Sequence, residues 1–376
     1  MPPNQKGRTG NDSRAPEYEQ PARLLQELGY DEWFHHRDQS RLTGDFSPAR
    51  VVAVNKNHYQ VSDGCEEIHA ELAGRFLFNI EQSVDYPTVG DWVAVQYFDQ
   101  NSLAIIHNLL PRRSVLKRKD PGKEVDFQLI AANIDYALIM QSADANFNLN
   151  RLERYLVMAN ESRIQPVIVL SKTDLLSEAA RTEILDQLEP FIDKYKVFPV
   201  STVTGEGIGL LEQELQAGKT YCLLGSSGVG KTTLLNTLVG ESLLAVNEVR
   251  KKDSKGRHIT VRRELICLKS GSIFIDTPGM RELGNFAIDD GLQETFDKIF
   301  SYGHRCRYKD CSHTHEPNCA VRDAVERGDI DEERYRNYLK LRKEAAHYET
   351  SYAEKRRKEK MFGKMMKNYK KSMRKR

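Results

Sequence analysis

The stretch Gly225-Ser226-Ser227-Gly228-Val229-Gly230-Lys231-Thr232 lies between a short apolar segment and a segment with helical spacing. It fits the pattern G-x-x-x-x-G-K-[ST], in which small residues let backbone N–H groups curl around a phosphate at the start of a helix. In this pattern Lys231 reaches the β- and γ-phosphates and Thr232 binds Mg²⁺. A glycine-rich turn can precede a helix without any ligand, but here every fixed position and the surrounding context match. The sequence therefore predicts a nucleotide-phosphate loop that extends to Thr233.

A second phosphate-contacting element is predicted downstream. The apolar segment Ile273–Ile275 ends in Asp276 and is followed by Thr277-Pro278-Gly279. An acid at this position holds Mg²⁺ through water, and the Gly279 N–H is predicted to meet the γ-phosphate. Taken alone, the four residues are also compatible with a simple turn. Their position after a strand and downstream of a phosphate loop favours the functional interpretation.

A base-recognition motif precedes both elements. An apolar segment runs into Ser171-Lys172-Thr173-Asp174, which resembles the N-K-x-D motif of GTPases. The Asp174 carboxylate can accept from the guanine N1–H and 2-amino groups together, and Lys172 would cover the base plane. Ser171 replaces the usual Asn, so one amide contact is missing or replaced. An Asp that caps a helix is the alternative interpretation. Ser201, after the next predicted strand, resembles the loop that supports the base.

The order of these motifs is cyclically shifted. Strands alternate with helical segments from Ile134 onward, which predicts a mostly parallel sheet with helices on both faces. Two later segments, Leu265–Leu268 and Ser272–Ile275, are predicted to form a hairpin. In ordinary GTPases the phosphate loop comes first and the base motif late, whereas here the base motif precedes the phosphate loop. The sequence therefore predicts a circularly permuted GTPase domain. Permutation is acceptable because the same pieces can occupy the same places in the sheet when the old termini are joined.

Residues 49–110 have a different texture, with short alternating segments separated by turn residues. Five strands are predicted, at Arg50–Val54, His58–Val61, Ile68–Leu72, Asp91–Tyr97 and Ala104–Leu109. Several short strands at this spacing indicate a small β-barrel. We favour an OB-type barrel, and the spacing is also compatible with an SH3-like barrel.

A cluster of cysteine and histidine follows the GTPase motifs. Cys306-x4-Cys311-x-His313-x5-Cys319 supplies three thiolates and one imidazole, a set that suits one structural, tetrahedral Zn²⁺. His304 and His315 are alternatives for the fourth ligand, and cysteines that bind nothing are the ordinary alternative. The remaining cysteines occupy strand-like segments and are expected to be buried thiols; they are Cys65, Cys222 and Cys267.

Composition suits a multidomain globular protein with one unusual segment. The chain has 376 residues, 39% hydrophobic and 29% charged, and no apolar run nears the ~20 residues that cross a bilayer. The polar first 20 residues lack the apolar stretch of a secretory signal, so we expect a disordered tail in a cytoplasmic protein without a membrane partner. Lys355–Arg376 carries 12 Lys and Arg against one acid, Glu359, so it holds +11 while the whole chain holds +2 and the remainder −9. A basic arm of this kind favours a polyanionic partner, although a solvated tail is equally compatible.

Together these features resemble the RsgA-type, small-ribosomal-subunit-dependent GTPases over about residues 50–325. The resemblance also includes Lys255-Gly256-Arg257-His258 and Cys319-Ala320-Val321 at the end of the cysteine cluster. It implies an OB barrel, a permuted GTPase domain and a zinc-binding domain, with a role in late maturation of the small (30S) subunit. Members of this family commonly have G-R-H-T-T in the first switch segment. Ile259 replaces the first Thr here, which leaves Thr260 as the candidate Mg²⁺ ligand.

The resemblance suggests an organisation of five segments. They are an N-terminal extension at 1–48 that is largely disordered with a short helix, an OB-fold barrel at 49–112, the permuted GTPase domain at 113–285, a zinc-binding domain at 286–340, and a basic helical or disordered tail at 341–376. We expect a monomer that binds GTP or GDP with Mg²⁺, one Zn²⁺, and the small ribosomal subunit with its rRNA.

Hydrolysis requires a water molecule held in line with the γ-phosphate. Many GTPases use a Gln just after D-x-x-G for this purpose, and Met280 occupies that position here. We therefore expect slow turnover by the protein alone. His258 lies where the first switch should be and could orient the water once a partner orders the segment, with Lys231 as the other catalytic residue. An exposed loop histidine is the alternative for His258.

Two other classes of function remain compatible with the sequence. One is a nucleotide-gated scaffold that binds a protein partner and hardly hydrolyses GTP. The other is an RNA-binding module with a degenerate nucleotide site, against which the intact Lys231, Thr232 and Asp276 argue. The main expectation is a hydrolase of acid anhydrides that converts GTP to GDP and phosphate, with the ribosomal subunit as activator and release as the outcome.

Overall fold

The computed structural model describes residues 19–38, 41–42, 44–55, 58–80, 82–119, 127–240, 263–276 and 289–347. The polar residues 1–18 and the basic segment Lys355–Arg376 lie outside these ranges. Within them, no helix combines the length and the apolar character that a bilayer crossing requires.

Two short helices precede the barrel, α1 (Glu19–Glu27) and α2 (Glu32–Asp38). We predicted one short helix in the extension at 1–48, and the structure shows two. Aromatic side chains of this segment pack against Trp92 of the barrel, with ring centroids 4.8 Å away for Tyr30 and 5.9 Å for Phe34. All three rings are buried, so the helices share a hydrophobic core with the barrel.

The predicted barrel is present and has five strands. They are β1 (Ser47–Asn55), β2 (His58–Ser62), β3 (Glu67–Leu72), β4 (Trp92–Phe98) and β5 (Leu103–Leu109). A short helix, α3 (Gly74–Asn79), lies between β3 and β4. β1 pairs with both β2 and β4, and β2 pairs with β3, while β3 pairs with β5 in parallel and β4 with β5 antiparallel. The order β1-β2-β3-β5-β4-β1 therefore closes on itself. Successive side chains of a strand point alternately into and out of the barrel. On β3, Ile68 and Ala70 are buried while His69 and Glu71 are exposed.

The second unit is the predicted α/β sheet. Its strands are β8 (Tyr136–Ser142), β9 (Gln165–Ser171), β10 (Val197–Val200), β11 (Thr220–Leu224), β12 (Arg263–Cys267) and β13 (Ile273–Asp276), in the order β10-β9-β8-β11-β13-β12. All neighbours are parallel except β12 and β13, which form the predicted antiparallel hairpin. The prediction of a mostly parallel sheet is confirmed.

Helices cover both faces of this sheet. They are α4 (Leu149–Glu161), α5 (Glu178–Ile192), α6 (Ile208–Glu214) and α7 (Lys231–Val239). Ile139 of β8 belongs to the same buried cluster as Leu152 of α4. Its neighbour Met140 belongs to the opposite cluster, with Leu211 of α6 and Leu234 of α7. Because both faces of β8 are covered, the strand is apolar without alternation, as parallel strands commonly are.

One strand joins the two units. The first half of β1 pairs with β4 inside the barrel, whereas Ala53 and Val54 pair with Glu264 and Arg263 of β12. The barrel and the α/β sheet thereby form one continuous sheet of 11 strands. A separate hairpin that we did not predict, β6 (Val115–Lys119) and β7 (Phe127–Ala132), leads from the barrel into the α/β unit.

The C-terminal unit is helical. It contains α8 (Asp289–Thr295), α9 (Asp297–Gly303), α10 (Ala320–Glu326) and a last helix, α11, over residues 332–347. Apolar residues of these helices form one cluster with Cys311, Cys319 and Val157 of α4. This unit is thus packed directly on the α/β unit through α4.

The prediction of three buried thiols is correct for one of them. Cys222 on β11 is buried, but Cys65 and Cys267 are exposed. Cys65 lies in the turn between β2 and β3, and Cys267 is the last residue of β12, so neither has the strand-interior environment that the apolar neighbours suggested.

Candidate nucleotide site and metal centre

The predicted nucleotide motifs meet at one edge of the α/β sheet. The phosphate loop follows β11, the base motif begins at the end of β9, Ser201 follows β10, and Asp276 ends β13. These four strands are parallel, so their carboxyl ends lie on the same side. Ligands of open α/β sheets bind at this edge. The permuted order in the chain therefore still brings the motifs together in space.

Glycine is required within the phosphate loop. Gly225 has φ +148°, and a Cβ there would lie 2.5 Å from the Met140 carbonyl oxygen. Gly230 has φ +94° and immediately precedes the first residue of α7. Both positions exclude ordinary side chains, for lack of space at Gly225 and by backbone conformation at both. The loop can therefore present its N–H groups at the start of a helix, where phosphate binds favourably.

Two residues fix the loop from within. Val229 is 1% exposed and packs in the same cluster as Leu234 of α7. The Lys231 ammonium donates to the carbonyl oxygens of Gly225 and Ser226, each at 2.7 Å. The Lys231 side chain thus lies across the phosphate loop. When a nucleotide is bound, the lysine and the loop are expected to contact the same phosphates. Ser227, Gly228 and Thr233 are exposed, and Thr232 is half-buried on the first turn of α7.

Ser171 connects the base motif to the phosphate loop. Its hydroxyl donates to the Val229 carbonyl oxygen at 2.7 Å and lies 3.2 Å from the Gln141 carbonyl oxygen. The residue is 4% exposed, so these carbonyl groups depend on the hydroxyl rather than on water. The serine found in place of asparagine therefore makes a contact to the protein itself. This tie was not apparent from sequence, because it joins residues far apart in the chain.

The Asp174 side chain is exposed but oriented. Its Oδ1 accepts from the Ser201 hydroxyl at 2.6 Å. Ser201 is fully buried, and its Oγ accepts from the N–H groups of Val203 at 3.2 Å and Thr204 at 3.1 Å. The loop after β10 thus holds the carboxylate in place, as expected for a group that must match two donors on a base edge.

Lys172 is anchored at its charged end. Its backbone is left-handed, with φ +61°, and its ammonium donates to Asp144 Oδ2 at 3.0 Å. Burial acts to raise the pKa of Asp144, but hydrogen bonds from Ser142, the Asn146 N–H and Lys172 lower it to about 2. Asp144 is therefore ionised at neutral pH, and the aliphatic stem of Lys172 is held where it can cover a base. Asp144 belongs to none of the predicted motifs, although an acid just after the end of β8 is a usable indication of a site residue.

The structure describes only some of the remaining predicted nucleotide residues. Asp276 is the last residue of β13 and pairs in register with Glu264 of β12. Gly279, Thr260 and His258 lie outside the described residues, as do Met280 and the rest of both switch segments.

The predicted metal ligands converge. The ligand atoms of Cys306, Cys311, His313 and Cys319 all lie within 4.8 Å of one another. The His313 Nδ1 is 3.6 Å from Cys306 Sγ and 3.5 Å from Cys319 Sγ. His304 and His315, the alternative fourth ligands, are not members of this group. Three thiols and one imidazole nitrogen in such a cluster fit a tetrahedral Zn²⁺.

The loop around His313 is held by its own hydrogen bonds. Glu316 accepts from the N–H groups of Ser312 at 2.9 Å and Thr314 at 3.2 Å. The Tyr335 hydroxyl of α11 donates to the His313 carbonyl oxygen at 2.5 Å. Burial lowers the pKa of His313, which favours the neutral imidazole that metal ligation needs. The cluster therefore links the loop to the helix that packs on α4.

Comparison with known proteins agrees with this arrangement. The family model described as RsgA GTPase matches residues 109–286. The small ribosomal subunit biogenesis GTPase RsgA 1 of Bacteroides thetaiotaomicron is 40% identical over 329 residues, which cover 87% of this chain and 91% of that protein. RsgA 2 of Vibrio vulnificus, which carries the same description, is 38% identical over 346 residues, or 92% of this chain and 95% of that protein.

Two solved structures are similar in fold. YjeQ from Thermotoga maritima matches with a TM-score of 0.60 and 27% identity, covering 79% of this chain and 97% of its own. YloQ, described as a circularly permuted GTPase, matches with a TM-score of 0.59 and 25% identity, covering 85% of this chain and 98% of its own. The permuted order that we predicted from the motifs thus agrees with the description of YloQ.

Proposed function

The chain belongs to the RsgA GTPase family, and from that premise we propose that it hydrolyses GTP on the small (30S) ribosomal subunit during the subunit's late maturation. One observation carries the nucleotide part of the proposal. Lys231, Ser171 and Asp174 meet at one sheet edge, and Ser171 bonds directly to the phosphate loop. A phosphate site and a guanine-selective carboxylate are thereby coupled in a single rigid frame.

Different residues are assigned to the phosphates, the base and Mg²⁺. The N–H groups of residues 225–232 would hold the β-phosphate, and Lys231 would move from its carbonyl partners toward the β- and γ-phosphates. Asp174 would accept from the guanine N1–H and 2-amino groups, with Ser201 holding its orientation, and the 171–174 segment would frame the base. A bound Mg²⁺ would neutralise charge on the phosphate oxygens, held by Thr232, by Asp276 through water, and by Thr260.

Hydrolysis itself is assigned to an ordered state of the switch segments. A water attacks the γ-phosphorus, the bond to the β–γ bridging oxygen breaks, and GDP and phosphate are released. Met280 cannot position this water, so we assign the positioning to His258. The Gly279 N–H would contact the γ-phosphate. Docking on the subunit would order these residues, so that hydrolysis follows binding and drives release.

The remaining units supply stability and contact. A structural Zn²⁺ would be held by Cys306, Cys311, His313 and Cys319, which leaves no open coordination position for catalysis. The closed strand order with β3 parallel to β5 supports an OB-type barrel. We assign contact with rRNA to the barrel and to the basic arm Lys355–Arg376, and domain limits at 49–112, 113–285 and 286–340. The protein would act as a cytoplasmic monomer.

Turnover with and without ribosomal subunits tests the proposal. We expect purified small subunits to accelerate steady-state GTP hydrolysis by at least about 100-fold, while large subunits have no effect. His258→Ala should lose the acceleration but keep GTP affinity and subunit binding. His315→Ala, which removes an exposed histidine outside the nucleotide motifs, is the control and should keep it. Equal turnover of wild-type protein with and without small subunits would contradict the ribosomal assignment, and full stimulation of the His258 variant would remove His258 from the mechanism.

A further inference from the structure

A second group of histidine and carboxylate side chains lies on the barrel, far from the cysteine cluster in sequence. It consists of His58 on β2 and of His69 and Glu71 on β3. Their ligand atoms all lie within 4.8 Å of one another. None of these residues belongs to a motif that the nucleotide or zinc chemistry uses.

The register of the barrel explains why the three side chains meet. β2 and β3 are antiparallel, with Tyr59 opposite Ala70 and Gln60 opposite His69. Continuing this register by one residue brings His58 opposite Glu71. His69 and Glu71 are two positions apart on one strand, so they point to the same face. The residues that alternate with them along the strand, Ile68 and Ala70, are buried in the barrel interior, so this face is the outer one.

Distances within the group are short enough for shared ligation. The imidazole rings of His58 and His69 have centroids 5.2 Å apart and an interplanar angle of 45°. The His69 Nε2 lies 3.8 Å from Glu71 Oε1. Side chains of His69 and Glu71 are 45% and 57% exposed, so a cation can reach them directly from solvent. The backbone positions are fixed by strand pairing, which limits the reorganisation needed for binding.

We propose that His58, His69 and Glu71 form a surface site for a divalent transition-metal ion, with Zn²⁺ as the probe. Two imidazoles and one carboxylate are ligands that Zn²⁺, Ni²⁺ and Cu²⁺ accept, whereas Mg²⁺ and Ca²⁺ prefer sites built from oxygen alone. Three protein ligands leave one tetrahedral position for water or an anionic group. The site is solvent-exposed, so its ion exchanges freely, unlike an ion enclosed by three buried or half-buried thiols and a buried imidazole.

The experiment uses full-length protein that already contains one Zn²⁺ per chain. Isothermal titration with further Zn²⁺ at pH 7.5 should reveal a second, weaker site with a stoichiometry of one. His58→Ala and His69→Ala should each weaken this second event at least tenfold, and Glu71→Gln should weaken it severalfold. The paired variant His35→Ala with His36→Ala removes two adjacent exposed histidines elsewhere and should leave the second event unchanged.

The outcomes separate this site from the structural one. Far-ultraviolet circular dichroism should be the same for all variants, because His58, His69 and Glu71 are exposed. Titration of the same protein with Mg²⁺ should show no binding at the site of His58, His69 and Glu71. Absence of a second Zn²⁺ event, or its persistence in a combined His58→Ala, His69→Ala variant, would overturn the proposal.

Discussion

Ser171 is the residue at which this site departs from the usual guanine motif. Its hydroxyl bonds to the Val229 carbonyl oxygen at 2.7 Å inside the protein. Ser171→Ala should leave that carbonyl unsatisfied at a cost of about 1–3 kcal/mol, which loosens the phosphate loop. We expect GTP affinity to fall by roughly tenfold, measured by titration with a fluorescent GTP analogue.

Ser177→Ala provides a matched control for this loss. The Ser177 hydroxyl accepts from the Ala180 N–H at 3.3 Å at the start of α5, so its removal costs helix stability without touching the nucleotide site. Affinity of Ser171→Ala within twofold of wild type would show that the tie to the phosphate loop is not needed for binding.

We propose that Asp174 selects the guanine base. Asp174→Asn replaces one acceptor by a donor at the base edge, so guanine should bind more weakly and xanthine, whose 2-position carries an oxygen, relatively better. Competition between GTP and XTP measures the change, and we expect a preference shifted by at least tenfold. Ser201→Ala removes the bond that orients Asp174 and should weaken both nucleotides without exchanging the preference. An unchanged GTP-to-XTP ratio in Asp174→Asn contradicts the base assignment.

At this scale the sequence indicates which residues form the candidate site, whereas their contacts within the protein are known only from the fold. Lys231, Asp174 and the glycines follow from chemical necessity at fixed spacing. The Ser171–Val229 bond and the Lys172–Asp144 pair depend on which strands are neighbours in the sheet. No local pattern encodes that neighbourhood, so these contacts required the fold.

Helix α4 joins the GTPase unit to the C-terminal unit through a buried acid. Glu153 is 2% exposed, accepts from Asn337 at 2.6 Å and forms an ion pair with Arg334 at 2.9 Å. Burial raises the pKa of Glu153 to about 7, although Asn337 and Arg334 favour the charged form and Asp331 opposes it. A pKa raised on folding means that the folded state holds the proton more tightly than the unfolded state.

The expected consequence is a stability that falls with rising pH. The contribution of Glu153 is fully present below its ordinary pKa of 4.5 and is lost as pH rises to about 7. The difference amounts to about 3 kcal/mol. Urea unfolding of wild-type protein between pH 5 and pH 8 should show this fall, and Glu153→Gln should flatten it.

A control for Glu153 lies at the same interface. Glu344 of α11 pairs with Arg154 at 2.9 Å and 3.0 Å, but the side chains are 31% and 28% exposed. Glu344→Gln should change stability by less than about 1 kcal/mol and keep the pH slope. If Glu153→Gln retains the wild-type slope, the titrating group lies elsewhere.

Elements with a strong period or a fixed motif were predicted well. The five barrel strands, the hairpin β12–β13 and the strands around the nucleotide motifs all occur where the sequence indicated them. The hairpin β6–β7 and helix α2 were missed. Lys117, Arg118 and Lys119 interrupt the apolar alternation of β6, and α2 has only seven residues, too few to establish a helical period.

At the scale of the whole molecule, zinc is expected to hold the C-terminal unit together. Cys311 and Cys319 belong to the same buried cluster as the helices of that unit. Cys311→Ser should lower the zinc content from about one ion per chain to none and expose α8–α11 to hydrogen exchange, while the barrel stays protected. Elemental analysis and hydrogen–deuterium exchange measure both effects.

Cys65→Ser is the matched control for that experiment, since Cys65 is exposed on a barrel turn. It should keep both zinc and protection. Wild-type protein that contains no zinc after purification without chelators, yet keeps the C-terminal helices protected, would show that zinc does not stabilise this unit.

The sequence predicted the barrel and the permuted GTPase unit but not how they are joined. The permuted motif order follows directly from the chain. The sharing of β1 between the barrel and the α/β unit does not, because its pairing with β12 satisfies only backbone groups that every strand carries. The contact of α4 with α11 could not be predicted for the same reason. Its residues are of types that are common on protein surfaces, and only packing brings them together.

Because β1 pairs both with barrel strands and with β12, part of it stays unpaired while the chain is being synthesised. All five barrel strands are complete by Leu109, so the barrel can close while the rest of the chain is still being synthesised. The backbone groups of Ala53 and Val54 must then wait for β12, which is made only after the base motif and the phosphate loop. An unpaired strand edge attracts strands of other chains. Translation of the segment between the barrel and β12 is therefore the interval in which this protein most needs protection from aggregation, and slow codons there would lengthen its exposure.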